Sequence, residues 1–94
     1  LVLRRAAAVL DLDVVVDHAA FERTGLSAAE VDHVDLYACF PAIVQMSAAT
    51  LGFGLDRPLT MTGGLCFAGA GVGNATGHAI AAMVGAVRSG GTGL

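Results

Sequence analysis

The residues of this 94-residue chain that could do chemistry fall in two places. One is the run Tyr37-Ala38-Cys39-Phe40, directly before Pro41. The other is the glycine-rich stretch from Gly63 through Gly73, with His78 a few residues on. A thiol close to a helix start can have a lowered pKa, the condition for a reactive thiolate, and Cys39 meets it if Pro41 opens a helix. The alternative is a small buried cysteine that serves packing, and Cys66, between Leu65 and Phe67, reads as packing. Tyr37 either places a phenol at a rim or ends a strand. Glycines let a backbone approach a ligand closely, and free N–H groups at a helix start favour an anion or a developing oxyanion. The same glycines could simply allow a helix and a strand to pack together. His78, in the first turn of the helix that follows, would be held neutral by the positive helix end and could act as a base or a donor; otherwise it is a half-buried histidine bonded to a carbonyl.

A dinucleotide fingerprint fails in both registers. Counting from Gly69, the sixth position is Asn74, and from Gly71 it is Thr76, where glycine is required. The chain has no lysine, so it contains neither a Walker A lysine nor a Schiff-base lysine. The two cysteines lack metal spacing, and no metal site is expected. Both are read as reduced, in a cytoplasmic protein.

The elements that must position these residues follow from pattern. Leu10–Val16 alternates weakly and suggests a strand. Asp17 can cap a short helix through Arg23, stopped by Thr24-Gly25. Ser27-Ala-Ala-Glu30 is a capping box for a single turn. His33–Tyr37 alternates and reads as a strand, with His33 and also His18 solvated. Pro41 suits the first position of a helix that carries Ile43, Val44, Met46, Ala48 and Leu51 at helical spacing and ends at Gly52. Leu59–Thr62 is a second strand, closed by Gly63-Gly64, and Leu65–Gly73 is a loop. Asn74 or Thr76 then caps a last helix with the stripe Ile80, Met83, Val84 and Val87, Arg88 suiting its C-terminal dipole and Gly90 stopping it. Strand–helix–strand–helix with short connections is the order of a βαβ unit, whose ligands bind at the strand ends. Tyr37–Phe40 and Gly63–Gly73 would then share a rim.

Bulk properties narrow the field. Apolar residues make up 55% of the chain and charged residues 14%, against roughly 45–50% and 25% in ordinary domains. Ninety-four residues bury only about 60–65% of their extended surface, so the apolar excess implies neighbours beyond the segment, and the chain reads as a piece of a larger soluble protein. A net charge of −3 with no basic patch speaks against nucleic acid. Pro58–Val87 is free of Asp, Glu, Lys and Arg but is broken by Pro58, glycines, Asn74 and His78, so no membrane span is expected.

Val34-Asp-Leu-Tyr-Ala-Cys-Phe-Pro41, a helix, Leu59-Thr-Met-Thr-Gly-Gly64, and a glycine loop before a helix with His78 together resemble the C-terminal half of the thiolase superfamily. The nearest branch is that of acetyl-CoA acetyltransferase-like proteins related to sterol-carrier-protein thiolases. The resemblance runs from about 26 to 88, with Cys39-Phe40 and Gly63-Gly64 its most specific features, and leaves residues 1–20 unassigned.

The resemblance implies an α/β fold, part of a thiolase-like layered architecture, forming one partial domain over 1–94. It implies Claisen condensation or thiolytic cleavage of acyl-CoA, with coenzyme A as part of the substrate and no separate cofactor. The nucleophilic cysteine belongs to the N-terminal half of such enzymes and a second cysteine follows the last helix, so this segment would be inactive alone. Site residues implied here are His78 and Cys39 as catalytic candidates, with Tyr37, Phe40, Gly63, Gly64 and Gly69 against the substrate. A homo-oligomer is implied. Two departures matter. The histidine of the usual Gly-His-Pro falls at Ala70, and the His-Asp-Cys-Phe of the sterol-carrier branch reads Tyr37-Ala38-Cys39-Phe40. A thiolase-fold retro-aldolase acting on acyl-CoA side chains, paired with a small oligonucleotide-fold partner, or a non-catalytic thiolase-like subunit would keep the fold with such changes.

Overall fold

A computed structural model describes residues 18–69, 71 and 73–94. The expected strand at 10–16 and the capping role of Asp17 lie outside them, as does Ala70. Helix α1 covers residues 18–24, α2 Pro41–Leu51, α3 Leu65–Ala68 and α4 Ala75–Val87, with a 3-10 turn at Ala28–Glu30 between α1 and α2. The described chain is about half helical and has almost no strand.

The local signals act as expected where they are backbone or capping signals. The Thr24 hydroxyl donates to the Ala20 carbonyl at 2.8 Å, and the Gly25 N–H closes α1 on the Phe21 carbonyl. The Glu30 carboxylate accepts from both the backbone N–H of Ser27, at 2.8 Å, and its hydroxyl, at 2.7 Å. Those bonds hold the Glu30 carboxyl below its ordinary pKa, the hydroxyl first and the backbone N–H second. Pro41 is the first residue of α2, where its missing N–H costs nothing. Gly52 ends α2 at φ 82°, and the next N–H, that of Phe53, returns to the Ala48 carbonyl at 2.9 Å. That closure needs a residue tolerant of the left-handed region.

The core lies between α2 and the extended segment before it. Val31, Val34 and Leu36 from 31–36 pack with Ala48 and Leu51 of α2 and with Phe53. Phe21, Ala28, Val44, Leu59 and Leu94 close the cluster. Val34 is 1% exposed, and burying a side chain of that size stabilises by about 1.5–3 kcal/mol. Arg57 seals one edge: its guanidinium donates to the carbonyls of Val31 and Asp32, both at 2.8 Å, and lies 5.5 Å from the centre of the Phe53 ring.

The two expected strands are corrected to extended segments. His33–Tyr37 and Leu59–Thr62 are joined by a single backbone bond, Leu36 N–H to the Leu59 carbonyl at 2.9 Å. Two N–H groups of the second segment go to a side chain instead. Asp35 Oδ1 accepts from Met61 N–H at 2.6 Å, from Thr62 N–H at 3.2 Å and from the Thr62 hydroxyl at 3.3 Å. Pro58 and the Gly63-Gly64 turn bracket too few residues for a ladder, and a short acidic side chain offers the backbone an alternative.

The tail of the segment pairs instead, which the sequence reading did not foresee. Gly93 bridges His33 in parallel. The Asp32 and His33 N–H groups both donate to the Thr92 carbonyl, Leu94 N–H donates to His33, and Asp35 N–H donates to Leu94. His33, expected to be solvated, is thus half-buried and engaged through its backbone. A Cβ on Gly93 would collide with the Met83 side chain and sit 3.2 Å from a Val87 methyl, so this residue lets α4 lie against the bridge.

Three further expectations are corrected. Leu65–Ala68 forms a helical turn rather than loop, Cys66 is exposed rather than packed, and Met46 is half exposed. The expected apolar stripe of α4 is largely open, with Ile80 60% and Val84 50% exposed. Among the described residues no helix is long and apolar enough to cross a membrane.

Candidate functional site

The end of the 31–36 segment, the Gly63-Gly64 turn and the start of α4 converge. Gly64 has φ 78° and ψ −178°, a conformation essentially confined to glycine. A Cβ there would stand 2.8 Å from the Ala38 Cβ, so the turn can rest on the segment end only because the side chain is absent. The Thr62 hydroxyl accepts from Gly64 N–H at 3.2 Å, which together with Asp35 fixes the path of the turn. One helical turn, α3, then carries the chain to Gly69, whose N–H bonds Leu65. Helix α4 starts after Asn74, whose carbonyl accepts the N–H of His78 at 3.2 Å.

These elements line an open cavity of about 260 Å³. Asp35, Leu36, Tyr37 and Ala38 line it from the extended segment, Ile43 and Ser47 from α2, and Thr62, Gly64, Leu65, Ala68 and Gly69 from the turn and α3. Ala75, Thr76, His78 and Ala79 of α4 and Leu94 complete it. Leu36, Ser47 and Gly64 are buried and form its floor, whereas Tyr37, Gly69, Thr76 and His78 are exposed and stand at its mouth. Half of the lining residues are aliphatic, and Asp35, Tyr37, Ser47, Thr62, Thr76 and His78 are the polar side chains of the lining.

Of the residues singled out in the sequence, Tyr37, Gly64, Gly69 and His78 come together around this cavity. Cys39 and Phe40 do not line it: Cys39 is half-buried and Phe40, the residue before α2, is 69% exposed. Gly63 also lies off the lining, and its own Cβ would press at 3.2 Å on Phe67, so its role is to let α3 fold back on the turn. Two contributors escaped the sequence reading. Asp35 falls between the buried Val34 and Leu36, and its spacing from Thr62 gives no hint of their bonds. Ser47 lay among helix residues chosen for apolar character, although its position four residues after Ile43 places both on one face of α2.

The described residues contain no group of three or more His, Cys, Asp or Glu side chains that could hold a metal ion. No protein-family model matches the chain, and neither a curated protein nor a solved structure is found to be similar to it.

Proposed function

We propose that the chain is part of a thiolase-like protein of α/β layered fold that handles acyl-CoA, and that the cavity at the meeting of Tyr37, Gly64, Gly69 and His78 receives the acyl portion. The observation that carries the reading is this convergence. Tyr37 on one side and Gly64, Gly69 and His78 on the other, separated by 27 positions or more, line one cavity with a largely aliphatic interior and an exposed mouth. The three neighbouring extended segments, 92–94, 32–36 and 59–62, support the layered fold. The finer assignments, a cytoplasmic homo-oligomer among them, belong to the same reading.

In the chemistry proposed, a cysteine thiolate from outside the described residues attacks the thioester carbonyl carbon. The carbon–sulfur bond to coenzyme A breaks, and coenzyme A leaves as its thiol after taking a proton. His78, at the mouth beside the Tyr37 and Thr76 hydroxyls, is the group assigned to donate a hydrogen bond to the carbonyl oxygen as negative charge develops there. Gly64 and Gly69 allow the substrate to approach the backbone. Cys39 has no direct part, since it is off the lining.

The test uses the product of the whole gene that encodes this segment, incubated with short acyl-CoAs while free thiol is followed. Release that falls about 10²-fold or more in His78→Ala supports the assignment, that being the usual loss on removing one oxyanion donor. Release that survives the change returns His78 to structure. A well-folded product that binds acyl-CoA and releases no thiol would replace the acyltransferase reading with a retro-aldolase or a non-catalytic subunit. The 94-residue chain alone should release none.

A further inference from the structure

Asp35 is the acidic side chain of the cavity lining, and its bonds run to two remote parts of the chain. Through its side chain, Oδ1 accepts from Met61 N–H, Thr62 N–H and the Thr62 hydroxyl, at 2.6, 3.2 and 3.3 Å. Through its backbone, the N–H donates to the Leu94 carbonyl at 2.8 Å. Asp35, Thr62 and Leu94 all line the cavity, so one residue ties together three stretches of its wall.

The chemistry of the groups fixes the direction of the bonds. An ionised carboxylate only accepts, so the Thr62 hydroxyl gives its proton to Asp35 and keeps its lone pairs for Gly64 N–H, at 3.2 Å. The relay from Asp35 through Thr62 thus ends on the residue that rests against Ala38. Gly64, at φ 78° and ψ −178°, is in a region that persists only where the surroundings hold it. Without an acceptor at Asp35, two N–H groups lose their partner and nothing orients the Thr62 hydroxyl. The turn is then free to relax, and Leu65, Ala68 and Gly69, which follow it in the lining, go with it. The network needs an acceptor at Oδ1, which the amide of an asparagine also supplies.

We infer that Asp35 is a positioning residue for the cavity. Acting through Thr62 and Gly64, it holds the turn in the path that lets the cavity take a ligand, and it does so as a hydrogen-bond acceptor rather than as a charge. The inference rests on the reading of this cavity as the ligand site, and not on which ligand enters it.

The experiment measures affinity of the purified 94-residue chain, by chemical-shift titration, for butanoyl-pantetheine and for 1-pentanol, a short apolar probe without a thioester. Amide exchange at Met61, Thr62 and Gly64 is followed beside it. Asp35→Ala should weaken both probes about tenfold or more and speed exchange at the three amides, the usual result of leaving donors unpaired. Asp35→Asn should stay within about threefold of the parent chain in both readouts. Val44→Ala, a change beside the core and off the lining, should lower stability and leave both affinities unchanged, which a merely structural role for Asp35 would not distinguish. Should Asp35→Ala fail to fold, Thr62→Val removes the hydroxyl link alone and should weaken both probes about threefold. Parent-like affinity in Asp35→Ala, or in Thr62→Val where that variant stands in, overturns the role of Asp35 and leaves the acyl reading standing. So does a loss in Asp35→Asn or Val44→Ala as large as that in Asp35→Ala. Binding of 1-pentanol that follows the expected pattern, with butanoyl-pantetheine unbound, keeps the role of Asp35 and removes the acyl reading. Failure of both probes to bind the folded parent chain ends both.

Discussion

Helices α2 and α4 are of similar length and both are rich in apolar residues, yet they end up in different surroundings. Helix α2 buries Ser47, Ala48 and Leu51 against Val34, Leu36 and Phe53. Helix α4 buries no residue, and of its stripe only Met83 and Val87 find cover, beside Gly93. What separates them is what passes on either side. Helix α2 has the extended segment 31–36 against it, with Arg57 and Phe21 sealing the edge. Helix α4 has the short bridge at its C-terminal half and the single turn α3 beside it, and no element of greater length among the described residues. Apolar composition supplies the tendency to bury, and the partner decides whether it is realised. The cavity lies along the boundary between these halves, floored by the packed one and walled by the open one. A floor fixed by a core and a wall with room to adjust suits a site that must admit a ligand and then hold it.

The contrast can be broken most directly in the core. Leu51→Ala should cost about 2–5 kcal/mol, as expected for a buried leucine, while Ile80→Ser on the open face of α4 should change stability by no more than about 0.5 kcal/mol. Urea denaturation of the two variants measures both; equal losses would mean that α4 is covered after all. At the boundary, Gly64→Ala should cost about 1–3 kcal/mol for the backbone conformation alone, with the contact on Ala38 in addition. It should also lower affinity for any ligand of the cavity, whereas Gly69→Ala, where a Cβ meets no neighbour, should act through the backbone only. The smallest effect concerns Glu30, on the packed side. Its carboxyl is held below its ordinary pKa in the folded chain, so its contribution is fully present above the unfolded value and is lost as pH falls through the lowered folded value. Thermal unfolding followed from about pH 6 down to about pH 3 should show a slightly smaller acid loss in Glu30→Gln than in the parent chain. Identical pH profiles would show that the bonds to Ser27 contribute nothing measurable.

The sequence was legible where a residue acts on its own backbone. Pro41, Gly52 and Ser27 with Glu30 each set a boundary through local geometry where pattern put it; Asn74, one of the two caps the pattern offered, precedes α4 without a side-chain cap bond, and α4 ends at Val87, ahead of Gly90. It was least legible where an element depends on a remote partner. The alternation of Val34 and Leu36 identified their buried face, but nothing nearby in sequence announces that Asp35 takes the N–H groups of Met61 and Thr62, or that Thr92–Leu94 lies beside His33. The loop after Gly64 misled for a related reason: Leu65-Cys66-Phe67-Ala68 is too short for a periodicity to declare itself, yet it closes one helical turn. For the site, Tyr37, Gly64, Gly69 and His78 were identifiable as rim residues from their places at element ends. Ser47 was not, because its place in the lining depends on which face of α2 lies against the remote turn at Gly64.

The central claim is that an acyl group enters the cavity between the packed and open halves. Amide hydrogen exchange of the chain, with and without saturating butanoyl-pantetheine, tests it most directly. The account predicts slower exchange on binding in Gly64–Gly69 and Ala75–Ala79, with the already protected core around Leu51 unchanged. Protection that appears only away from those residues, or none at saturation, would contradict it.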